Sequence, residues 1–160
     1  MKKTLFTTLF TLCLIFGLLP ATVLADNRPT SGTCGPNLTW KFEPTSVDAH
    51  GRWEGGTLTI SGTGAMDNFR SSYSSPWSSD YSIYPMTKVI IEEGVATIGD
   101  NAFSHAEHLT DVIIPDSLKS IGYASFLNCA ELSNVKISNG VTNIASSAFD
   151  RCTSLTRAVL

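Results

Sequence analysis

His105 and His108, with Glu107 between them, have the separation of two metal ligands one helical turn apart. The positions 23 residues further on are Asn128 and Glu131, and 23 beyond those are Arg151 and Ser154. Columns that accept such different groups are solvated surface, so no metal site and no cofactor is expected. Cys34 and His50 could pair as nucleophile and base, but no local signature accompanies them. Gly62-x-Gly64 and Gly32-x-x-Gly35 are too short to cradle a phosphate and read as turn glycines, and neither Gly-x-Ser-x-Gly nor His-Glu-x-x-His occurs. No enzyme is expected here. Cys129 and Cys152 stand one repeat apart, with Ala106 as the first member of their column. Stacked coils about 5 Å apart would bring them within reach of a bridge. Side chains of a ladder point inward in parallel, however, which favours buried thiols. Trp40, Trp53, Trp77, Tyr81 and Tyr84 could form a sugar-stacking surface, or could pack over the apolar end of a solenoid, which is the favoured reading. Asn37-Leu38-Thr39 matches a glycosylation acceptor.

What would position any of these groups is a pattern written three times. Thr87-Lys88-Val89-Ile90-Ile91, Thr110-Asp111-Val112-Ile113-Ile114 and Ser133-Asn134-Val135-Lys136-Ile137 align without a gap at an offset of 23 residues. Val89/Val112/Val135, Ile91/Ile114/Ile137, Ile98/Ile121/Ile144, Phe103/Phe126/Phe149 and Leu109/Leu132/Leu155 are invariant apolar columns. A fixed period with such columns is the mark of a solenoid, in which each coil buries its face only against its neighbours. In each coil a strand comes first, with Val89 and Ile91 inward and Lys88, Ile90 and Glu92 outward. A second short extended segment follows, defined by Val95, Leu118 and Val141 with the Ile98 column, and one or two turns of α- or 3-10 helix are expected from about 101 to 108.

The segment before the repeats differs in character. Lys2 and Lys3, an apolar run from Leu5 to Leu19, Pro20 and Val23-Leu24-Ala25 read as a signal peptide over residues 1–25, cleaved after Ala25. The run is too short and too Thr-interrupted for a membrane span, and none is expected in the mature chain. Cleavage removes two of the 11 basic residues and none of the 14 acidic ones, leaving 9 − 14 = −5. An acidic chain without a basic run does not suit nucleic acid. Residues 26–33 read as a flexible leader and 34–85 as a β-rich N-terminal cap. In the cap, Leu38-Thr39-Trp40-Lys41-Phe42 and Thr57-Leu58-Thr59-Ile60-Ser61 alternate as a strand pair, with further strand near Trp53 and a helical turn at Pro76-Trp77. The solenoid occupies 86–160, with coils 87–109, 110–132 and 133–155 and a partial coil 156–160.

The pattern Leu109-x-x-Val112-x-Ile114-Pro115-x-x-Leu118-x-x-Ile121-Gly122-x-x-x-Phe126-x-x-Cys129-x-x-Leu132 resembles the BspA-like class of bacterial surface leucine-rich repeats. The likeness covers 86–160, and Cys34-Gly35-x-Asn37-Leu38-x-Trp40 with the Gly56–Met66 run is similar to modules preceding such repeats. It departs from ordinary leucine-rich repeats at Gly94, Ser117 and Gly140, where a ladder of Asn or Cys is usual. The resemblance implies a secreted or cell-surface, non-catalytic module adhering to host or matrix proteins through its strand face. The outward residues Lys88, Ile90, Glu92, Asp111, Ile113, Lys136 and Arg157 are the candidate contacts, and Ile90 beside Ile113 is the most informative pair. The alternatives are a targeting scaffold for an enzyme encoded further along, or carbohydrate binding by the aromatic N-terminal module. Because 156–160 begins another coil in register, the chain is expected to be part of a longer protein, with an open coil prone to self-association.

Overall fold

Alternation of apolar and polar residues in the N-terminal segment produces a meander of three antiparallel strands. These are β1 (Ser31–Gly35), β2 (Leu38–Val47) and β3 (Trp53–Gly62), which bury Cys34, Leu38, Trp40, Phe42, Leu58 and Ile60 on one side. The computed structural model describes residues 28–79, 82–156 and 158–159. The signal-peptide reading of 1–25, Tyr81 and Arg157 lie outside the described residues. The expected extra strand at Trp53 is present as the start of β3, which shortens the hairpin tip to 48–52. Asp48 closes that tip by accepting the backbone N–H groups of His50 and Arg52 at 2.8 and 2.9 Å.

The short strands β4 (Gly64–Ala65), β5 (Ser78–Ser79) and β6 (Ser82–Ile83) follow, and Pro76-Trp77 forms a turn, with no helix. The three coils then supply β7 (Lys88–Ile91) and β8 (Val95–Ile98), β9 (Asp111–Ile113) and β10 (Ser120–Ile121), and β11 (Asn134–Lys136) and β12 (Asn143–Ile144). The last strand is β13 (Ala158–Val159). One seven-stranded sheet runs β1-β2-β3-β7-β9-β11-β13, and a second runs β12-β10-β8-β4. Both expected extended segments of each coil are therefore strands, and equivalent strands pair in parallel at the 23-residue register.

The sheet does not stop where the repeats begin. β3 pairs in parallel with β7, matching Leu58 to Val89 and Ile60 to Ile91, and β4 pairs with β8. Trp77 also continues the phenylalanine file: Trp77, Phe103, Phe126 and Phe149 stack with ring centroids 5.2 Å apart at each step. Its indole N–H donates to the Ala102 carbonyl at 2.8 Å, so the polar edge of this buried ring is satisfied. The described residues 57–79 and 82–86 thus behave as one more coil, although Trp77 lies 26 residues before Phe103 and not 23.

The helix expected over 101–108 does not form, and no helix occurs among the described residues. Asn101 and His105 have φ of 54° and 63°, which is left-handed backbone that an α- or 3-10 helix cannot contain. The same columns are left-handed in the later coils, at Ala124 and Asn128 and at Ser147 and Arg151. Alternate N–H groups leave the coil altogether: Asn101, Phe103 and His105 donate to the carbonyls of Tyr123, Ser125 and Leu127 at 2.9, 2.7 and 2.7 Å. Between them Ala102, Ser104 and Ala106 donate three residues back. This side of the solenoid is a chain of turns stitched to the next coil, and the apolar spacing of Ala102, Phe103 and Ala106 reflects inward turn positions.

Two substitutions test this account. Ser125 takes the column of Ala102 and Ala148, and its hydroxyl is buried with no partner in the chain. Ser125→Ala should gain about 1 kcal/mol by removing an unsatisfied polar group, a rise in Tm of roughly 2–4 °C. Arg151 is exposed and left-handed at φ 58°. Arg151→Gly should add a stabilisation on the order of 1 kcal/mol, because glycine has no Cβ to clash in that conformation. A fall in the thermal midpoint of either variant would contradict the corresponding assignment.

Candidate functional site

The seven-stranded sheet has an inner face occupied by the Val and Ile columns and an outer face whose side chains fall into rows. Parallel pairing sets Lys88, Asp111 and Asn134 side by side, and likewise Ile90, Ile113 and Lys136. Five of the seven candidate residues, Lys88, Ile90, Asp111, Ile113 and Lys136, therefore share one face; Glu92 follows the end of its strand and is exposed, and Arg157 is outside the described residues. Ile113 is 47 % exposed, whereas Val112 beside it is 3 % exposed. The period-2 alternation of the strand makes that contrast.

This face extends into the N-terminal segment. By register, Lys41 and Thr59 continue the row of Ile90, and Glu43 and Thr57 continue the row of Lys88. These positions were missed in the sequence because a 31-residue step separates Leu58 from Val89. The available signal was the match in type between Leu58-x-Ile60 and Val89-x-Ile91. Charges on the face are partly engaged within the chain. Lys41 pairs with Glu43 at 2.6 Å. Asp111 accepts the Thr110 hydroxyl at 2.6 Å and the Asn134 amide at 3.0 Å. No carboxylate lies within ion-pair distance of Lys88 or Lys136 among the described residues.

The other chemistry-bearing groups are kept apart or buried. His105 sits at a left-handed turn with Nδ1 3.0 Å from the Ser104 hydroxyl, and His108 faces Glu131 at 3.5 Å on the surface. No group of three or more His, Cys, Asp or Glu that could hold a metal ion occurs among the described residues. Cys34 is buried on β1 while His50 is exposed at the hairpin tip, so the two do not form a pair. Burial, and after it the charge of Asp67, pushes the Cys34 thiol up to about 12, which disfavours the thiolate a nucleophile needs.

Cys129 and Cys152 are free and buried. Each thiol donates to a phenylalanine carbonyl of the preceding coil, Cys129 to Phe103 at 3.2 Å and Cys152 to Phe126 at 3.1 Å. The Cys152 thiol alongside, and then burial, hold the Cys129 thiol above its ordinary range.

The aromatic cluster is core. Trp40, Trp77 and Tyr84 are buried and meet edge to face, with Trp40 6.2 Å from Trp77 and 6.0 Å from Tyr84. Half-buried Trp53 has the Arg28 guanidinium 4.4 Å from its ring centre, and Tyr84 donates to the Pro29 carbonyl at 2.8 Å. Residues 28–30, read from composition as part of a flexible leader, close over this cluster. Of the five rings offered for sugar stacking, Trp40, Trp77 and Tyr84 are buried, Trp53 is half-buried, and Tyr81 lies outside the described residues. Asn37 is exposed in the turn between β1 and β2.

A sequence model described as the BspA type leucine rich repeat region matches residues 79–160 in six copies. No curated protein matches the chain. Among solved structures, a leucine-rich repeat protein from Eubacterium ventriosum is similar at a TM-score of 0.51 and 19 % identity, over 72 % of this chain and 35 % of that one. A leucine rich cell surface protein from Faecalibacterium prausnitzii has a TM-score of 0.49 and 24 % identity, over 82 % of this chain and 36 % of that one. The chain thus spans about a third of the length of these solved proteins.

The thiol assignment has a direct readout. A thiol reagent added to folded residues 26–160 should leave Cys34, Cys129 and Cys152 unmodified, and all three should react once guanidinium unfolds the chain. Fast labelling of the native chain, or a loss of titratable thiol after non-reducing purification, would overturn the assignment of free, buried thiols.

Proposed function

Because the chain belongs to the BspA-type leucine-rich repeat family, whose repeats are typical of bacterial cell-surface proteins, we propose that it is a secreted or surface-displayed adhesion module without catalysis. It binds host or matrix proteins through the outer face of the long sheet, with Lys88, Ile90, Glu92, Asp111, Ile113, Lys136 and Arg157 as contacts. The observation that carries this reading is the exposed Ile113 beside Ile90, an apolar pair on a sheet whose other face already holds the core. An apolar pair in a rim of polar residues, exposed at Ile113 and half-buried at Ile90, is the composition of an interaction patch. The signal-peptide pattern at residues 1–25 supports delivery to the outside of the cell. Burial of Cys34 away from His50 removes the one nucleophile pair that the residues suggested. A targeting scaffold for a larger secreted enzyme would use the same face, and sequence beyond Leu160 separates the two.

The test is capture of extracellular-matrix proteins by the chain cleaved after Ala25, comparing wild type with Ile113→Asp. Loss of a central apolar contact and burial of a charge should reduce capture at least about tenfold, an effect of roughly 1.4 kcal/mol or more. The thermal midpoint should stay nearly unchanged, because Ile113 is exposed. Equal capture by both proteins would remove the strand face from consideration.

A further inference from the structure

We infer that the outer sheet face receives an acidic amphipathic helix of a partner protein, lying along the solenoid axis, with Ile90 and Ile113 as its apolar floor and Lys88 and Lys136 as its ion partners. This rests on the reading of the face as the binding surface and adds the chemistry of the occupant. The argument begins with the row that crosses five adjacent strands: Lys41, Thr59, Ile90, Ile113 and Lys136. Neighbouring strands are about 4.8 Å apart, and an α-helix advances about 5.4 Å per turn. A helix laid along the row sets one turn over each strand for several strands. An extended chain in the same direction presents same-side residues about 6.7 Å apart and loses register within two strands. Successive turns of the helix then offer apolar residues at i and i+4 to Ile90 and Ile113, and a carboxylate one turn on to Lys136.

Charge selects the sign of the partner. The row contains no carboxylate; in the next row Glu43 is paired with Lys41, while Asp111 accepts hydrogen bonds from Thr110 and Asn134 and keeps its charge beside Lys88. Lys88 and Lys136 carry no ion pair among the described residues, and the exposed Glu92 stands two residues beyond Ile90, outside the row. The whole chain has a formal charge of −3. An acidic partner meets a net negative chain and finds its match along the carboxylate-free row that ends at Lys136, which confines where it docks.

The probe is a helical peptide of about 18 residues with Leu at i and i+4 and Glu one turn outside each. One twin carries Lys for Glu, and another has a central Pro that breaks the helix. Each is titrated onto the chain cleaved after Ala25 by fluorescence anisotropy at low ionic strength. The Glu peptide should bind about tenfold more tightly than the Lys twin, and the preference should shrink with salt. Lys88→Glu with Lys136→Glu should invert it, Ile113→Asp should weaken both peptides, and the Pro twin should lose binding. These side chains lie on the outer face, and an unchanged circular dichroism melt checks that each variant is folded. Equal affinities, no binding of either helical peptide, a preference surviving in the double variant, undiminished binding of the Pro twin, or displacement by dextran sulfate that is indifferent to Ile113→Asp would each overturn the acidic helix. Capture of matrix proteins that depends on Ile113, together with no preference for Glu, keeps the face and overturns only the helix. Capture that is indifferent to Ile113 removes the adhesive reading whichever peptide binds.

Discussion

Coil-on-coil stacking is the interaction from which the rest of this structure follows. Trp77, Phe103, Phe126 and Phe149 form a single file at 5.2 Å per step. That step is close to the distance between hydrogen-bonded strands, so aromatic stacking and backbone pairing are satisfied by the same advance per coil. Each coil is too small to bury its own apolar side chains and relies on its neighbours for a core. Any element that joins the stack must therefore deliver strands at one register and a large flat side chain at one place. The N-terminal segment does both, with Leu58 and Ile60 continuing the inner columns and Trp77 heading the file.

The same constraint shapes the side of the coil that has no long strand. An N–H that reaches the next coil cannot also serve a helix. Residues 101 to 106 divide their donors between the two demands, alternate groups bonding outward and the rest three residues back. The left-handed residues at Asn101 and His105, repeated at Ala124, Asn128, Ser147 and Arg151, turn the chain so that this division is possible. Such conformations cost free energy in a non-glycine residue, and the ladder of inter-coil hydrogen bonds offsets it. Close approach of neighbouring backbones shows at Gly99, where a Cβ would meet the Asp67 carbonyl oxygen at 1.9 Å.

Because the interior is so fully specified, the outside of the long sheet is free to vary. Lys88, Asp111 and Asn134 share one row while the valines beside them do not change. The face belongs to both parts of the chain, since β2 and β3 carry Lys41, Thr57 and Thr59 into its rows. A partner crossing β3, β7 and β9 would touch the cap and the repeats together. The hairpin shares this outer face and also covers the end of the core.

The residues alone determined the period, the inward columns, the two strands per coil and the face on which Ile90 and Ile113 stand. These are carried by side-chain type at a constant spacing of 23, and alternation along a strand leaves no choice of side. Tertiary structure decided the rest. The extra coil over 57–79 and 82–86 escaped notice because its spacings to the next, 31 at Leu58 and 26 at Trp77, break the period while the register of β3 on β7 restores it. Helix gave way to turns because the carbonyls that compete for Phe103 and His105 belong to the following coil, about 22 residues away in sequence. Trp40, Trp53, Trp77 and Tyr84 could have faced water or core by composition, and only their mutual packing and the segment at Arg28 and Pro29 close them in.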